Sequence, residues 1–409
     1  MRSTLLNFAC CALGGTLAAQ TGFYWEQRAS LPASGRYGSF SFTIDGYGYV
    51  VGGGNAGGVL ADCWRYDPLA DSWYPVASLP AGRRHGASFA IDGKGYITCG
   101  GVGLDFTTSD LLMYDPVTDS WTTKAALPAT PRNGCYGFAL GGYGFVGAGN
   151  YGSATGPYLD DLWKYDPSSD SWTASNGIPG LPRYGCTSFV VNGKGYAHGG
   201  RDSSLDFTNE LWEFDPVTEN WTGRPPMPGL GRSWTMAMAF QHDAVVAGGK
   251  DVGETIFTDG YWYFPALNLW TQIDDYPGDS GWSGASFGIG DRTFGGLGAR
   301  IEPVYSYHND FWELVKDESS PVAGLAVQGA AMMVQPNPAM DMVRFSWADL
   351  PLSEYMELTL FDPTGRIMFC DQVRNGASFT TYDLTNGTYG VRLTGGNGRI
   401  VSTRLVVAH

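Results

Sequence analysis

Five arginines recur along the chain at intervals of 48, 48, 51 and 49 residues. A guanidinium group can hold a carboxylate through two parallel hydrogen bonds, so these side chains are candidates for binding an acidic ligand. An arginine that repeats this regularly can equally brace the architecture by hydrogen-bonding to nearby carbonyl groups. The sequence leaves both interpretations open. The five residues are Arg36, Arg84, Arg132, Arg183 and Arg232.

The residues beside these arginines differ from one repeat to the next. Positions that vary between repeats are better candidates for function than positions that serve the repeat itself. Aromatic side chains beside cations suit sugars or extended peptides, although some of them can equally cap the core. The predicted ligand-binding set is therefore the five arginines with Tyr37, His85, Tyr184, Trp234 and Trp282.

The sequence contains few residues that are suited to metal binding or catalysis. A copper site needs converging His and Tyr ligands, and only His85 and His308 are expected on one face, with Tyr305 or Tyr307 nearby. No glycine-rich phosphate loop, serine nucleophile elbow or zinc-spaced cysteine pair is present. We therefore predict no metal, no cofactor and no catalytic residue, and favour binding over catalysis.

Five cysteines follow the N-terminal segment, and an odd number cannot all pair. Cys135 and Cys186 occupy equivalent positions in neighbouring repeats. Packed sheets lie about 10 Å apart, which exceeds the roughly 7 Å limit for a disulfide. We expect buried thiols at both positions.

The elements that position these residues come from a repeat of about fifty residues. Glycine doublets such as Gly52-Gly53 and Gly100-Gly101 recur in step with tryptophans spaced 48, 48, 51, 49 and 49 residues apart. Glycine and aromatic residues at this period indicate the blades of a β-propeller. The tryptophans are Trp25, Trp73, Trp121, Trp172, Trp221 and Trp270.

Each repeat divides into four predicted strands, a to d. In the first repeat, strand a covers 39–44 and strand b covers 47–52, joined by a tight Asp45-Gly46 turn. Strand c covers 63–66, and strand d begins at Trp73 after a turn that contains Pro68. An acid stands four residues before the end of each strand c, and we interpret this series as structural. The acids are Asp62, Asp110, Asp161, Glu210, Asp259 and Asp310.

The repeats resemble the kelch family, whose marks are a glycine doublet followed by Tyr, six residues and Trp. Matching pairs are Tyr66 with Trp73, Tyr114 with Trp121, Tyr165 with Trp172, and Tyr263 with Trp270. The resemblance implies an all-β, six-bladed propeller in which the N-terminal strand around Trp25 completes the last blade. Relatives include galactose-oxidase-like copper enzymes and sugar mutarotases, but none of their catalytic residues can be matched here.

Antiparallel strands place the d–a and b–c connections on one face of such a propeller. The b–c loops span 54–61, 102–109, 150–160, 201–209, 250–258 and 297–309. The repeated arginines precede strand a, the strand that lines the axis. We therefore expect them around the mouth of the central channel, on the face with the b–c loops.

The first 19 residues read as a signal peptide. Arg2 is a basic start, 5–17 is an apolar run, and Ala18 and Ala19 are the small residues before the expected cleavage. No later apolar run is long enough to span a membrane.

The last 75 residues resemble the C-terminal sorting domain of the type IX secretion system of Bacteroidota. The matching pieces are Pro336-Asn337-Pro338-Ala339, the turn at 362–366 and Gly387-Thr388-Tyr389. The resemblance implies a small immunoglobulin-like β-sandwich that is recognised by the type IX machinery. An ordinary β-sandwich accessory module is the alternative.

The net charge of −15 excludes nucleic acid as an obvious partner. We predict a signal peptide at 1–19, a propeller at 20–315, a linker at 316–334 and a sorting domain at 335–409. The predicted protein is secreted or lies on the cell surface, and it binds an extracellular glycan or protein through the b–c loop face. The alternatives are a carbohydrate-active enzyme (a sugar mutarotase or a galactose-oxidase-like oxidase) on the same face and a structural surface-layer component.

Overall fold

The computed structural model describes residues 23–316 apart from 104–105, 153–155, 267, 279–280 and 301–304. In the C-terminal part it describes 332–335, 342–347, 356–362, 367–374, 377–381, 384, 387–394 and 400–407. The predicted signal peptide, most of the predicted linker and the Pro-Asn-Pro-Ala piece therefore lie outside the described residues. None of the described segments forms a helix that is long and apolar enough to cross a membrane.

Six four-stranded antiparallel sheets form the propeller, one per blade. The innermost strands a are Phe40–Ile44, Ala87–Ile91, Tyr136–Leu140, Thr187–Val191, Met236–Ala239 and Ala285–Ile289. The strands b are Tyr47–Val51, Lys94–Thr98, Tyr143–Gly147, Lys194–His198, Ala244–Ala247 and Arg292–Arg300. The strands c are Cys63–Asp67, Leu111–Asp115, Leu162–Asp166, Leu211–Asp215, Gly260–Phe264 and Ser306–Lys316. The outer strands d of blades 1 to 5 are Ser72–Val76, Ser120–Lys124, Ser171–Ser175, Asn220–Arg224 and Leu269–Ile273.

The sixth blade takes its outer strand from the other end of the propeller. Strand Phe23–Arg28 pairs with strand c of blade 6, and Trp25 lies opposite Leu314. This arrangement confirms the predicted closure and pairs strand c of blade 6 on both of its edges.

The repeated aromatic residues fix each blade internally and to its neighbour. Trp73 stacks against Tyr66 in its own blade, with ring centroids 4.9 Å apart. Its indole N–H also donates to the carbonyl of Ala29, 2.8 Å away in the preceding blade. The tryptophans of the other blades donate to the preceding blade in the same way. The repeat therefore conserves one tryptophan for both packing and blade-to-blade hydrogen bonding.

The a–b turns are held by left-handed backbone. Asp45 and Gly46 have φ of 49° and 81°, and Asp92 and Gly93 have φ of 50° and 70°. Two positive φ values in succession belong to the tight hairpin turn that matches strand twist. Aspartate or glycine at these positions explains why these connections are short and alike.

The C-terminal part forms two sheets. One contains Met332–Gln335, Met342–Trp347 and Ser378–Thr380, and the other contains Ile367–Val373, Met356–Phe361, Gly387–Thr394 and Ile400–Val407. Val343 and Phe345 of the first sheet share one core with Leu358 and Val391 of the second. Two sheets that enclose one apolar core form the predicted β-sandwich.

Candidate functional site

A closed circle of backbone hydrogen bonds surrounds the channel at the face that carries the b–c loops. One residue per blade donates its amide N–H to the carbonyl of its counterpart in the preceding blade, over N···O distances of 2.6–3.0 Å. All six residues have φ between 56° and 72°, the left-handed region. We call them the amide ring: Gly38, His85, Gly134, Gly185, Trp234 and Ser283.

The amide ring sets the register of the residues before it. Two positions earlier in each blade, except the sixth, lies an arginine whose side chain is buried, with at most 3% exposed. We call these the brace arginines. They are Arg36, Arg83, Arg132, Arg183 and Arg232.

Each brace arginine pairs with the acid that precedes strand c of its own blade. Arg36 binds both carboxylate oxygens of Asp62, at 2.8 and 2.7 Å. Arg83 binds Asp110 in the same way, at 2.7 and 2.9 Å. The remaining pairs are Arg132 with Asp161, Arg183 with Glu210, and Arg232 with Asp259. Each pair ties a d–a connection to the end of a b–c loop.

Asp62 shows how a brace arginine changes the pKa of the carboxyl group that it binds. Burial acts to raise the pKa of Asp62, but hydrogen bonds from Arg36 and Trp64 outweigh it, and the pKa lies below its ordinary value. The carbonyl of Arg83 also accepts a hydrogen bond of 2.9 Å from the amide of Gly53 in the preceding blade. A brace arginine therefore joins its own blade through the side chain and its neighbour through the backbone.

The geometry corrects the predicted arginine set in two ways. Arg36, Arg132, Arg183 and Arg232 are buried in ion pairs, so their guanidinium groups do not face a ligand. Arg84 is not the fifth member of the series, because Arg83 fills that position. The repeated acids, as interpreted from the sequence, are the partners of the brace arginines.

Between brace arginine and amide ring lies the position that varies, and it faces the channel mouth. Each residue there forms a backbone bridge to the start of its own b–c loop, as Arg84 does with Gly101 and Trp282 with Ala299. The residues at this position are Tyr37, Arg84, Asn133, Tyr184, Ser233 and Trp282.

A cavity of about 370 Å³ opens at this mouth. Six of the predicted ligand-binding residues line it: Tyr37, Arg84, His85, Tyr184, Trp234 and Trp282. Three polar lining residues were not in the predicted set: Thr107, Asn133 and Lys250. Lys250 directly follows the glycine doublet of blade 5, and that position is the signal that could have found it.

Aromatic rings form the floor and one wall of this mouth cavity. The ring of Trp234 lies 4.3 Å from His85, and Tyr37 stacks on Trp282 at 5.3 Å between centroids. The Nε2 atom of His85 lies 3.1 Å from the hydroxyl oxygen of Ser283. Burial, together with the charges of Arg84 and Lys250, lowers the pKa of His85 to about 3. His85 is therefore neutral at physiological pH.

The cations of the mouth cavity are weakly compensated. Arg84 donates to the hydroxyl of Tyr37 and lies over its ring, 5.2 Å from the centroid. No carboxylate among the described residues pairs with Arg84. Lys250 lies 4.4 Å above the ring of Trp282 and pairs with the half-exposed Glu254. The buried indole N–H of Trp282 has no acceptor within the described part of the chain.

Sequence comparisons agree with this architecture. Profiles of the Kelch motif match residues 35–80 and 182–228. The profile described as "Secretion system C-terminal sorting domain" matches residues 333–408. The chain carries kelch motifs and ends in a type IX sorting domain. This tail indicates export, either to the cell surface or into the medium.

One solved structure, YjhT, resembles the kelch propeller at a TM-score of 0.58 and 18% sequence identity. The alignment covers 68% of this chain and 95% of YjhT. An identity this low supports the propeller fold alone. A search of curated protein sequences returns no match.

No group of three or more His, Cys, Asp or Glu residues within the described segments is placed to hold a metal ion. His308, the second histidine of the copper alternative, contacts Ser306 through Nε2 at 2.8 Å. The lining of the mouth cavity is instead aromatic and cationic, which suits recognition of an anionic, ring-containing ligand.

Proposed function

We propose that the mouth cavity of this exported kelch propeller binds a carbohydrate that carries a carboxylate or sulfate group. The observation that carries the proposal is the guanidinium of Arg84, which lies in the cavity without a carboxylate partner among the described residues. A chain of net charge −15 repels anions in general. A local cation at a concave site can nevertheless recognise one anion through charge-assisted hydrogen bonds.

Two further features support this proposal. Lys250 adds a second positive charge beside Trp282. The rings of Trp234 and Tyr184 lie 5.7 Å apart, nearly perpendicular, and offer apolar surface to the face of a sugar. A volume of about 370 Å³ is suitable for one or two sugar rings.

A protein segment with an acidic side chain is the second candidate ligand. The rim of the mouth carries exposed aromatic side chains, with Phe106 75% and Tyr151 50% exposed. Aromatic residues are enriched in protein interfaces. The same Arg84 would then hold the acidic side chain of the partner.

Catalysis on a sugar is the alternative on the same face. It would require a group that exchanges protons with the substrate. The described lining contains no Asp or Glu, and a pKa of about 3 makes His85 a poor base. We therefore favour binding. We also retain, as proposals, the signal peptide at 1–19, the linker at 316–334 and the recognition of the tail by the type IX machinery.

The test is a glycan array that pairs neutral sugars with their carboxylated or sulfated forms, probed with the full chain and with two variants. Arg84→Gln removes the cavity cation. Lys94→Gln removes an equal charge on the opposite face, where Lys94 pairs with Asp115. We expect Arg84→Gln to weaken binding about 10-fold or more, since a charge-assisted hydrogen bond contributes about 1.5–3 kcal/mol.

Lys94→Gln should bind like the wild type. Preference for neutral sugars, or equal binding by Arg84→Gln and the wild type, would contradict the proposal. An array without binding, followed by capture of acidic peptides that depends on Arg84, would favour the protein ligand. Self-association without either ligand would favour a structural surface-layer role.

A further inference from the structure

The seam between blades 2 and 3 differs from the other five in its chemistry. At every seam, the residue after the paired part of strand b meets the residue that precedes strand a of the next blade. Only this seam places a cysteine at both positions, Cys99 and Cys135. The counterparts at the other seams are Gly52 with Gly86, Ala148 with Cys186, Gly199 with Thr235, Gly248 with Gly284, and Leu297 with Ser39.

The glycines at equivalent positions reveal where the two side chains point. A Cβ placed on Gly52 would lie 2.7 Å from the carbonyl oxygen of Arg83, in the following blade. A Cβ placed on Gly284 would lie 2.6 Å from the carbonyl oxygen of Gly296 in its own blade and 2.8 Å from the sulfur of Met236 in the preceding blade. Both positions therefore place a side chain at the seam between two blades, which is the first requirement for a disulfide across it.

The two thiols lie in the same core cluster, with Cys99 fully buried and Cys135 5% exposed. Their interaction lowers the pKa of Cys99 despite burial and raises the pKa of Cys135.

Cys99 has φ of 62°, and the equivalent Ala148 and Leu297 have φ of 58° and 60°, so the left-handed backbone belongs to the repeat and not to this cysteine. The destination of the protein bears on the pair more directly. Outside the cell, where the sorting domain directs this protein, disulfides form and persist.

We propose that Cys99 and Cys135 are oxidised to a disulfide in the exported protein, which joins blade 2 covalently to blade 3. The oxidant is a disulfide, either of a small thiol or of a thiol–disulfide oxidoreductase. The Cys99 thiolate attacks one sulfur of the oxidant and releases one thiolate. The Cys135 thiolate then attacks the Cys99 sulfur of the mixed disulfide and releases the second.

The exchange is balanced. Two electrons pass from the cysteines to the oxidant, and their two protons go to the leaving thiolates. Both thiols are buried, so the exchange takes place before blades 2 and 3 have closed on each other. The crosslink lies beside the hydrogen bond of 2.8 Å from the amide of Gly100 to the carbonyl of Arg132. It would fix the cavity wall between Arg84 and Asn133, and it does not depend on the proposed ligand.

Peptide mapping tests the proposal. The full chain, exported by an oxidising host, is alkylated in denaturant without reduction and digested with trypsin. Cys99 and Cys135 fall in separate tryptic peptides, 95–124 and 133–164, each with a single cysteine. We expect these two peptides as one linked species that separates on reduction. Recovery of both as alkylated single peptides, or of either one linked to another cysteine, would overturn the proposal.

Two variants connect the bond to stability. Cys135→Ser removes it, and Cys186→Ser is the matched control, since Cys186 holds the equivalent position one blade later and meets Ala148. A reductant should lower the melting temperature of the wild type and of Cys186→Ser by about 5 °C. It should leave Cys135→Ser unchanged. An equal response of all three proteins would contradict the proposal, even if one variant is expressed poorly.

Discussion

The two mouths of the channel are built from the same six strands and differ in nearly every other respect. The mouth with the b–c loops encloses about 370 Å³ lined by Arg84, Lys250 and aromatic rings. The mouth with the a–b turns is larger, about 650 Å³, and is lined by one phenylalanine from each blade together with small residues such as Ser41, Ala139 and Gly288. Its only charged lining residue in the described part of the chain is Asp291.

The difference shows that the variety of lining side chains, and not the cavity volume, distinguishes a candidate site on this fold. The a–b turns of blades 1 to 4 are limited to a few residue types because their backbone is left-handed at two successive positions. The b–c loops of blades 1 to 5 can differ because a brace arginine fixes the end of each, as Arg36 does through Asp62. The buried ion pairs of one face thus permit its loops to vary.

The largest expected difference between a structural residue and a cavity residue lies at two adjacent positions, Arg83 and Arg84. Arg83→Ala leaves Asp110 without its partner and empties a buried position, and we expect a loss of about 3 kcal/mol in the free energy of unfolding. Arg84→Ala should cost less than about 1 kcal/mol, because Arg84 has no carboxylate partner among the described residues. Urea unfolding of both variants measures the difference, and equal losses would remove the distinction between brace and cavity.

Between the two mouths, His198 is buried in blade 4, and neither ring nitrogen has a partner among the described residues. Burial, with the charge of Arg232, lowers its pKa to about 3. The unfolded chain takes up a proton near pH 6.5 and the folded chain does not, so acid favours unfolding. Stability should fall by about 1.4 kcal/mol per pH unit below about pH 6.5.

His198→Leu should reduce the slope by about this amount in urea titrations between pH 4.5 and 7, while buried His85, whose pKa is also lowered to about 3, keeps its own contribution. His242→Gln, in the exposed a–b turn of blade 5, should keep the wild-type slope. A slope unchanged in His198→Leu would assign the acid sensitivity to other groups.

Trp234 tests whether the floor of the cavity serves the ligand or the fold. Blades 3 and 4 have glycine at this position of the amide ring, Gly134 and Gly185. Trp234→Gly relieves left-handed strain of about 1 kcal/mol and loses ring packing of similar size, so the urea midpoint should change little. Affinity for the acidic glycan should nevertheless fall. A large loss of stability would make Trp234 a structural plug.

The smallest effect is expected at the mouth with the a–b turns. Gln241→Ser shortens an exposed polar lining side chain that lies outside the core. Both the free energy of unfolding, within about 0.5 kcal/mol, and ligand affinity should stay at wild-type values. Reduced affinity in this variant would move the candidate site to the other mouth.

Most of the architecture could be predicted because the same sequence pattern occurs in six blades. The spare Trp25 indicated a strand that pairs with the last blade, and its pairing with Leu314 confirms this. The tight turns followed from pairs such as Asp45-Gly46, whose residue types match the left-handed backbone.

The site was harder to predict because the register of the chain decides which side chains face the cavity. Gly82-Arg83-Arg84-His85 offers two arginines, and spacing alone favours Arg84 as the repeat member. Only strand pairing shows that Arg83 lies against Asp110 while Arg84 faces the cavity. The repeated arginines and the repeated acids were each visible, but their pairing across 26 to 29 residues was not.

The amide ring also determines the electric field of the mouth. A peptide group has a dipole of about 3.5 D. The N–H and the C=O of each of the six ring residues belong to two successive peptide groups, and these groups are repeated around the circle. In a closed circuit the components in its plane cancel, whereas in a helix they add along the axis. The circle therefore gains its hydrogen bonds without creating a charged end of its own. An anion that approaches the channel is attracted mainly by the side chains of Arg84 and Lys250.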